Sequence, residues 1–387
     1  MVEQEFCVTV PQKYKILIIA GEASGDLHGS HLVRHLRSMM PDASFFGIGG
    51  DAMAREGVSL GIHASQLAVV GVTEIVGKFR VIHRAYSYVK HGLTHDPPDL
   101  VILIDFPDFN LRIARHAWRR GIPVVYYISP QVWAWRRGRI KDIARYVSKM
   151  LVIFPFEEAL YREHGVDVSY VGHPLLDAVT VMQPSQTLYG EWGLSPIYPV
   201  VGLFPGSRYT EVDSVLPAML EAAVRIRERF PRTQFLVGQA PSLDPRRFDH
   251  YLEGQLLPIC KVHDHIYSAM RMCDIAIVAS GTATLELALL EVPMVIVYRV
   301  SRLTYAVGRT LVRVPSIGLA NLVSGKRVVP ELIQGHVTGE RIYESCIPFF
   351  TNAIYMSTIR SELKRIRTVL GAPGASRRAA EIICSMR

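Results

Sequence analysis

Val200-Val201-Gly202-Leu203-Phe204-Pro205-Gly206-Ser207-Arg208 is an apolar run that ends on a glycine turn and opens into a helical pattern. Ile275-Ala276-Ile277-Val278-Ala279-Ser280-Gly281-Thr282-Ala283-Thr284 repeats the arrangement, with Glu286 close behind. Each reads as a buried strand, a tight loop and a helix N-terminus. Such a junction gathers several backbone N–H groups without helical partners at one point, and anions bind there. Small residues let a diphosphate approach the main chain. Arg208 adds a fixed positive fork, and Glu286 lies one turn into its helix, where it could reach a ribose hydroxyl pair. Either loop alone is an ordinary strand–helix turn. Two in one half-chain point to a nucleoside diphosphate site built from Gly206, Ser207, Arg208, Ser280, Gly281, Thr282 and Glu286.

Outward from these loops, apolar runs of similar length alternate with helical patterns along the chain. Strands are expected at residues 15–20, 44–48, 100–104, 124–128, 150–154 and 168–171, then at 200–204, 234–237, 274–279 and 294–298. Continuous apolar strands separated by helices are the mark of α/β folds with parallel sheets covered on both faces. Residues 182–199 hold Gln183-Pro184-Ser185-Gln186, Gly190, Gly193 and Pro196, and read as a linker between the two series. Two doubly wound domains are therefore expected, at residues 1–178 and 179–345. A helical tail, 346–387, carries an apolar stripe of Ile354, Ile359, Leu363, Ile366 and Leu370 that needs a surface to cover. The first domain or a second subunit, giving a homodimer, could supply it.

The bulk numbers narrow the class. Hydrophobic residues make up 49% of 387, with a mean hydropathy of +0.19, yet no apolar stretch is long enough to span a bilayer. Residues 1–10 carry Glu3 and Glu5 and no basic cluster, unlike a secretory leader. The five cysteines are scattered without redox or metal spacing, which fits a reducing cytoplasm. The formal charge is +8. Residues 1–175 hold 20 Lys/Arg against 17 Asp/Glu, residues 176–345 hold 16 against 16, and residues 346–387 hold 7 against 2. If the tail packs on the first domain, that lobe carries the whole excess, and an anionic membrane surface or lipid becomes a natural partner. A solvated basic face is the plainer alternative. Leu303, Ala306, Val307, Thr310, Leu311 and Val314 share a helical face beside Arg302, Arg309 and Arg313, either a core helix or an arginine row meeting a phosphorylated lipid.

Three loops of the first half complete the picture. Gly21-Glu22-Ala23-Ser24-Gly25-Asp26 follows a strand but lacks the G-x-G-x-x-G spacing, which disfavours a nicotinamide enzyme. Glu22 and Asp26 would repel a pyrophosphate and suit sugar hydroxyls, although Asp26 could simply complement the helix dipole. Asp105-Phe106-Pro107-Asp108-Phe109-Asn110 places Asp105 at a strand's carboxyl end, where a carboxylate can serve as general base for a hydroxyl. Asp108 reads more simply as a helix N-cap. Ser129-Pro130-Gln131-Val132-Trp133-Ala134-Trp135-Arg136-Arg137-Gly138-Arg139 suits a sugar face or an anion, or else core tryptophans with a solvated arginine face. His263-Asp264-His265 lacks further ligands and no Asp-x-Asp pair follows a strand, so no metal site is expected.

Together these motifs resemble the lipid-A-disaccharide synthase family of bacterial glycosyltransferases. The resemblance runs in order through residues 20–26, Asp105 to Asn110, 129–136, Gly172-His173-Pro174, 203–208, 279–287 and 293–299. It implies the GT-B architecture, two Rossmann-like domains facing a cleft. It also implies a metal-independent, inverting transfer without a cofactor, joining UDP-2,3-diacylglucosamine to 2,3-diacylglucosamine 1-phosphate (lipid X) in a β-1,6 linkage and releasing UDP. The setting would be the inner face of the cytoplasmic membrane, with no nucleic-acid partner. By resemblance Asp105 is the catalytic carboxylate, and Glu22, Ser24 and Asp26 lie near the reacting sugars. Arg208, Ser280, Gly281, Thr282, Glu286 and Asn321 hold the nucleotide-sugar. Phe106 and Ala320 depart from the family's usual Ala and Pro without altering a reactive group. Residues 67–84, apolar and then basic, offer Val69, Val70, Val72, Ile75, Val76, Lys78, Phe79 and Arg80 as membrane-docking candidates, or else form a buried helix pair. Two other readings stay open, a nucleotide-sugar epimerase of the same architecture and a non-catalytic binder of anionic lipid or nucleic acid.

Overall fold

The computed structural model describes residues 14–68, 75–133, 136–179, 186–255, 257–301, 304–306 and 316–387. Val69, Val70, Val72, Trp135, Arg302, Arg309 and Arg313 lie outside the described residues, as do the side chains of Ile75, Val76, Lys78 and Phe79. The chain divides into two compact units, residues 1–174 with 374–387, and residues 175–373.

The first unit is a seven-stranded parallel sheet. In chain order it runs β1 (Lys15–Ala20), α1 (Ala23–Met39), β2 (Ser44–Gly49), α2 (Asp51–Arg55), β3 (Ser59–His63), α3 (Ser65–Ala68) and α4 (Ile75–His95). It continues through β4 (Leu100–Ile104), α5 (Pro107–Trp118), β5 (Val124–Tyr127), α6 (Arg139–Tyr146), β6 (Lys149–Val152), α7 (Pro155–Arg162) and β7 (Val168–Tyr170). The strand order is β3-β2-β1-β4-β5-β6-β7. Every residue of β4 and β5 is buried, as strands covered on both faces require. The winding reverses between β1 and β4, which pair in register from Ile16–Leu100 to Ala20–Ile104. That reversal opens a crevice at the carboxyl edge.

The second unit repeats the plan with six parallel strands. It contains α8 (Leu175–Val179), α9 (Gln186–Glu191), β8 (Val200–Phe204), α10 (Tyr209–Arg229), β9 (Gln234–Gly238), α11 (Pro245–Asp249), β10 (Ile259–Val262) and α12 (Ile266–Met272). Then come β11 (Ile275–Ala279), α13 (Thr282–Leu289), β12 (Met294–Tyr298), a helix at Leu319–Ser324 and β13 (Glu331–Ile333). The order β10-β9-β8-β11-β12-β13 reverses between β8 and β11. Both glycine loops therefore leave the sheet at its switch point.

The tail is divided. Helix Gly339–Thr351 packs on α10, and helix Ala353–Val369 packs on α13 and on Leu319–Ser324, all within the second unit. Only helix Ala375–Ser385 joins the first unit, against α1, where Arg378 Nε donates to the Val171 carbonyl at 2.8 Å. Ile359, Leu363, Ile366 and Leu370 are buried, but Ile354 is 79% exposed. Five residues before Ile359, it sits about 140° around the helix from the stripe. The charge consequence is that the first unit holds 23 Lys/Arg against 18 Asp/Glu and the second 20 against 17. The basic excess is shared rather than concentrated on one lobe. Among the described residues, no helix is long and apolar enough to cross a membrane.

Candidate active site

At the first switch point, the turn after β4 is unusual in backbone. Asp105 (φ 44°) and Phe106 (φ 47°) are consecutive non-glycine residues in the left-handed region. Each such residue costs of order 1–3 kcal/mol, so the surroundings must enforce it. Two buried side chains do so. The Tyr126 hydroxyl donates to the Asp105 main-chain oxygen at 2.6 Å, and Asn110 Nδ2 donates to the same oxygen at 2.8 Å. Gly21 completes the brace, because the Phe106 ring lies where its β-carbon would stand.

The turn lifts the Asp105 carboxyl toward the end of β1. Burial pushes its pKa up to about 6, the nearby Glu22 carboxylate adds to the rise, and the Phe106 N–H opposes it. At neutral pH Asp105 is a carboxylate more basic than usual, the condition a general base needs. Glu22 is exposed at the N-cap of α1, and Ser24 is exposed in its first turn. The structure brings Asp105 and Glu22 together.

Asp26 turns away from this crevice. Its carboxylate accepts from Gly50 N (2.7 Å), Ala52 N (3.0 Å) and Met53 N (3.0 Å), and so caps α2. Three main-chain donors leave it little capacity for a sugar, which makes it a structural anchor. Asp108 is not the N-cap of α5 either. Phe106 holds that position, Pro107 begins the helix, and Asp108 accepts from Arg136 Nη1 at 2.8 Å and from Arg139. Trp133 is used internally, its Nε1 donating to Glu157 Oε1 at 3.1 Å. Full burial pushes Glu157 up to about 8, opposed by hydrogen bonds from the Phe154 N–H and Trp133.

In the second unit, Gly206 has φ 112°, and its missing side chain leaves space that the Glu211 carboxylate fills. Glu211 Oε2 accepts from Ser207 N at 3.0 Å, and Oε1 pairs with Arg208 Nη1 at 3.4 Å. The first glycine loop thus holds an anion already, the chain's own. Sequence reasoning passed over Glu211, although an acid three residues past the N-cap is a capping signal. In the second loop Gly281 and Thr282 are exposed, and Ser280 Oγ donates to the Ile317 carbonyl at 3.1 Å. Gly281 (φ 166°) is merely extended. Burial pushes Glu286 up to about 7, opposed by a hydrogen bond from Tyr267.

The Asn321 side chain is fully engaged within the second unit. It is 1% exposed, its Nδ2 donates to Val329 O (2.9 Å) and Glu331 Oε1 (2.8 Å), and its Oδ1 accepts from Val328 N and Val329 N. It braces the segment that leads into β13. Of the docking candidates, Arg80 is exposed on α4. Among the described residues, no group of three His, Cys, Asp or Glu side chains could hold a metal ion.

The sequence profile of the lipid-A-disaccharide synthetase family matches residues 16–377. The chain is 47% identical to the lipid-A-disaccharide synthase of Geobacter metallireducens over 98% of both chains, and 41% identical to that of Myxococcus xanthus over 96% of this chain and 97% of that one. The chain belongs to the lipid-A-disaccharide synthase family. Lipid-A-disaccharide synthases are glycosyltransferases of lipid A biosynthesis. Among solved structures, UDP-GlcNAc 2-epimerase from Neisseria meningitidis, bound to UDP-GlcNAc, superposes with a TM-score of 0.67 at 11% identity over 96% of this chain and 100% of that one. A calicheamicin glycosyltransferase superposes at 0.61 with 15% identity, covering 97% and 98%. These likenesses carry the fold, the pair of Rossmann-like domains of GT-B glycosyltransferases, into the lipid-A-disaccharide synthase family.

Proposed function

We propose that the chain transfers 2,3-diacylglucosamine from UDP to the 6-hydroxyl of lipid X, forming the β-1,6-linked disaccharide 1-phosphate and UDP. The observation that carries this reading is Asp105, a carboxyl held up on a braced left-handed turn at a switch point, with its pKa raised to about 6. Asp105 takes the acceptor's hydroxyl proton as the oxygen attacks the anomeric carbon from the face opposite UDP, so the configuration inverts. Glu22 stays close to the same centre and keeps Asp105 basic.

The pyrophosphate leaves onto the second unit, where Ser207, Arg208 and the amides of 280–282 meet its charge in place of a divalent cation. Glu286 is set to take the ribose hydroxyls. The acceptor is an anionic amphiphile, which fits a peripheral enzyme working at the inner face of the cytoplasmic membrane. Product analysis tests the proposal. Purified protein given UDP-2,3-diacylglucosamine and lipid X, with EDTA present, should release UDP and the disaccharide 1-phosphate in equal amounts. UDP release that does not depend on lipid X, or an absolute need for magnesium, would contradict it.

A further inference from the structure

The loop after β5 and the start of α6 carry three arginines that the chemistry above leaves unused. Among the described residues of the loops leaving the first sheet's carboxyl edge, lysine or arginine occurs only here, at Arg136 and Arg137, and Arg139 opens the helix that follows. The neighbouring loops present acids instead, Glu22 after β1 and Asp105 and Asp108 after β4. The edge is thus acidic at the reacting centre and cationic one strand along.

Arg136 and Arg139 converge on a single oxygen, Asp108 Oδ1. The burial of this pair is lopsided. The Arg139 side chain is 11% exposed, whereas Asp108 is 72% exposed and Arg136 51%. The Asp108 carboxylate and the Arg136 guanidinium are both largely solvated, so their contact is weak and the carboxylate can give way to a stronger anion. A phosphate monoester is such an anion, because it accepts paired N–H bonds from guanidinium groups. Arg137, next to Arg136 in the chain, is exposed.

The cluster also adjoins the catalytic turn, because Asp108 lies in the first turn of α5, which directly follows Asp105 and Phe106. Burial raises the pKa of the Tyr126 hydroxyl, which is bonded to the Asp105 main chain; the Asp105 carboxyl raises it further and the Arg139 guanidinium lowers it. Arg139 is therefore a neighbour of the catalytic turn. An acceptor whose hydroxyl reaches Asp105 has its opposite end near β5.

We propose that Arg136, Arg137 and Arg139 form the seat for the phosphate monoester of the acceptor, with Asp108 holding the guanidiniums in place until it arrives. This rests on the reading of Asp105 as the base that activates the acceptor. The seat orients the sugar so that its 6-hydroxyl meets Asp105, and it selects phosphorylated acceptors over neutral ones.

The test compares lipid X with its dephosphorylated counterpart, 2,3-diacylglucosamine, presented in the same detergent micelles. Wild-type protein should prefer lipid X. Arg136→Ala and, separately, Arg137→Ala should each raise the KM for lipid X about tenfold, the scale of one charged hydrogen bond, and leave the KM for the neutral acceptor unchanged. Arg139→Ala should do the same, with a thermal melt to confirm folding. Equal losses on both acceptors, or no loss on either, would overturn the seat and leave the role of Asp105 standing. Failure of the wild type to use either acceptor would remove the parent reading and the seat with it.

Discussion

A β-carbon on Gly21 would lie 2.5 Å from Cγ of Phe106, so the end of β1 and the turn after β4 fit together only while residue 21 is glycine. Phe106 cannot easily yield, since it caps α5 in the left-handed region with its ring 5.5 Å from that of Phe109. Gly21→Ala should therefore displace Asp105. A shift of about 1 Å in a reacting group can cost on the order of a hundredfold in rate. Steady-state assays should show kcat reduced at least tenfold, with the UDP dissociation constant unchanged. Equal loss of both would mean that the substitution disrupts the protein at large.

Asp105 should weaken the fold in proportion to its usefulness. Its folded pKa of about 6 exceeds the ordinary value of 3.8, so the folded state holds the proton more tightly and stability falls as pH rises from about 4 to 6. Asp105→Asn removes that loss. At pH 7.5 the variant should melt a few degrees higher, a gain of no more than about 3 kcal/mol for a two-unit shift, and below pH 4 the gain should vanish. A variant less stable than wild type at pH 7.5 would contradict the burial argument. In the wild type, kcat/KM should fall on the acid side with an apparent pKa near 6.

Asp26 should behave as a cap. Asp26→Ala leaves three main-chain N–H groups at the start of α2 without their acceptor, at a cost of about 1–3 kcal/mol. The melting temperature should drop, while kcat per folded molecule stays within about twofold. Loss of turnover without loss of stability would return Asp26 to the chemistry.

Glu211 and Arg208 should pull nucleotide affinity in opposite directions. Glu211 occupies the amide and guanidinium that a phosphate would use. Calorimetric titration should find UDP bound about tenfold more weakly by Arg208→Ala, the loss of one charged contact, and more tightly by Glu211→Gln. Weaker binding by Glu211→Gln would show that the carboxylate shapes the loop for its ligand instead of competing with it.

Much of this architecture was legible because central parallel strands are continuous apolar runs. Residues 15–20, 100–104, 200–204 and 294–298 fall on β1, β4, β8 and β12 without adjustment. The strands missed, β3, β10 and β13, all lie at sheet edges, and each is short and partly exposed, so it lacks the continuous buried run of a central strand. The expected strand at 124–128 loses its last residue because Ile128 turns left-handed (φ 65°).

At the site, loop positions could be read but side-chain direction could not. Asp105 and Asn321 are both polar residues on loops near a sheet edge. One is held beside Glu22 by a left-handed backbone turn, and the other folds inward to satisfy main-chain groups ahead of β13. Nothing in residue type or spacing separates them. The tertiary hydrogen bonds of Asp26, Asp108 and Asn321 reach partners between 7 and 31 residues away, beyond the range of local pattern.

The central claim is that Asp105 removes the acceptor's proton and does nothing for the nucleotide. The direct measurement is turnover of Asp105→Asn on UDP-2,3-diacylglucosamine and lipid X, with UDP affinity determined on the same preparation. The account predicts a fall in kcat of about a hundredfold to ten-thousandfold, the worth of a positioned general base, with UDP bound as tightly as by the wild type. Turnover within a few fold of wild type would contradict it.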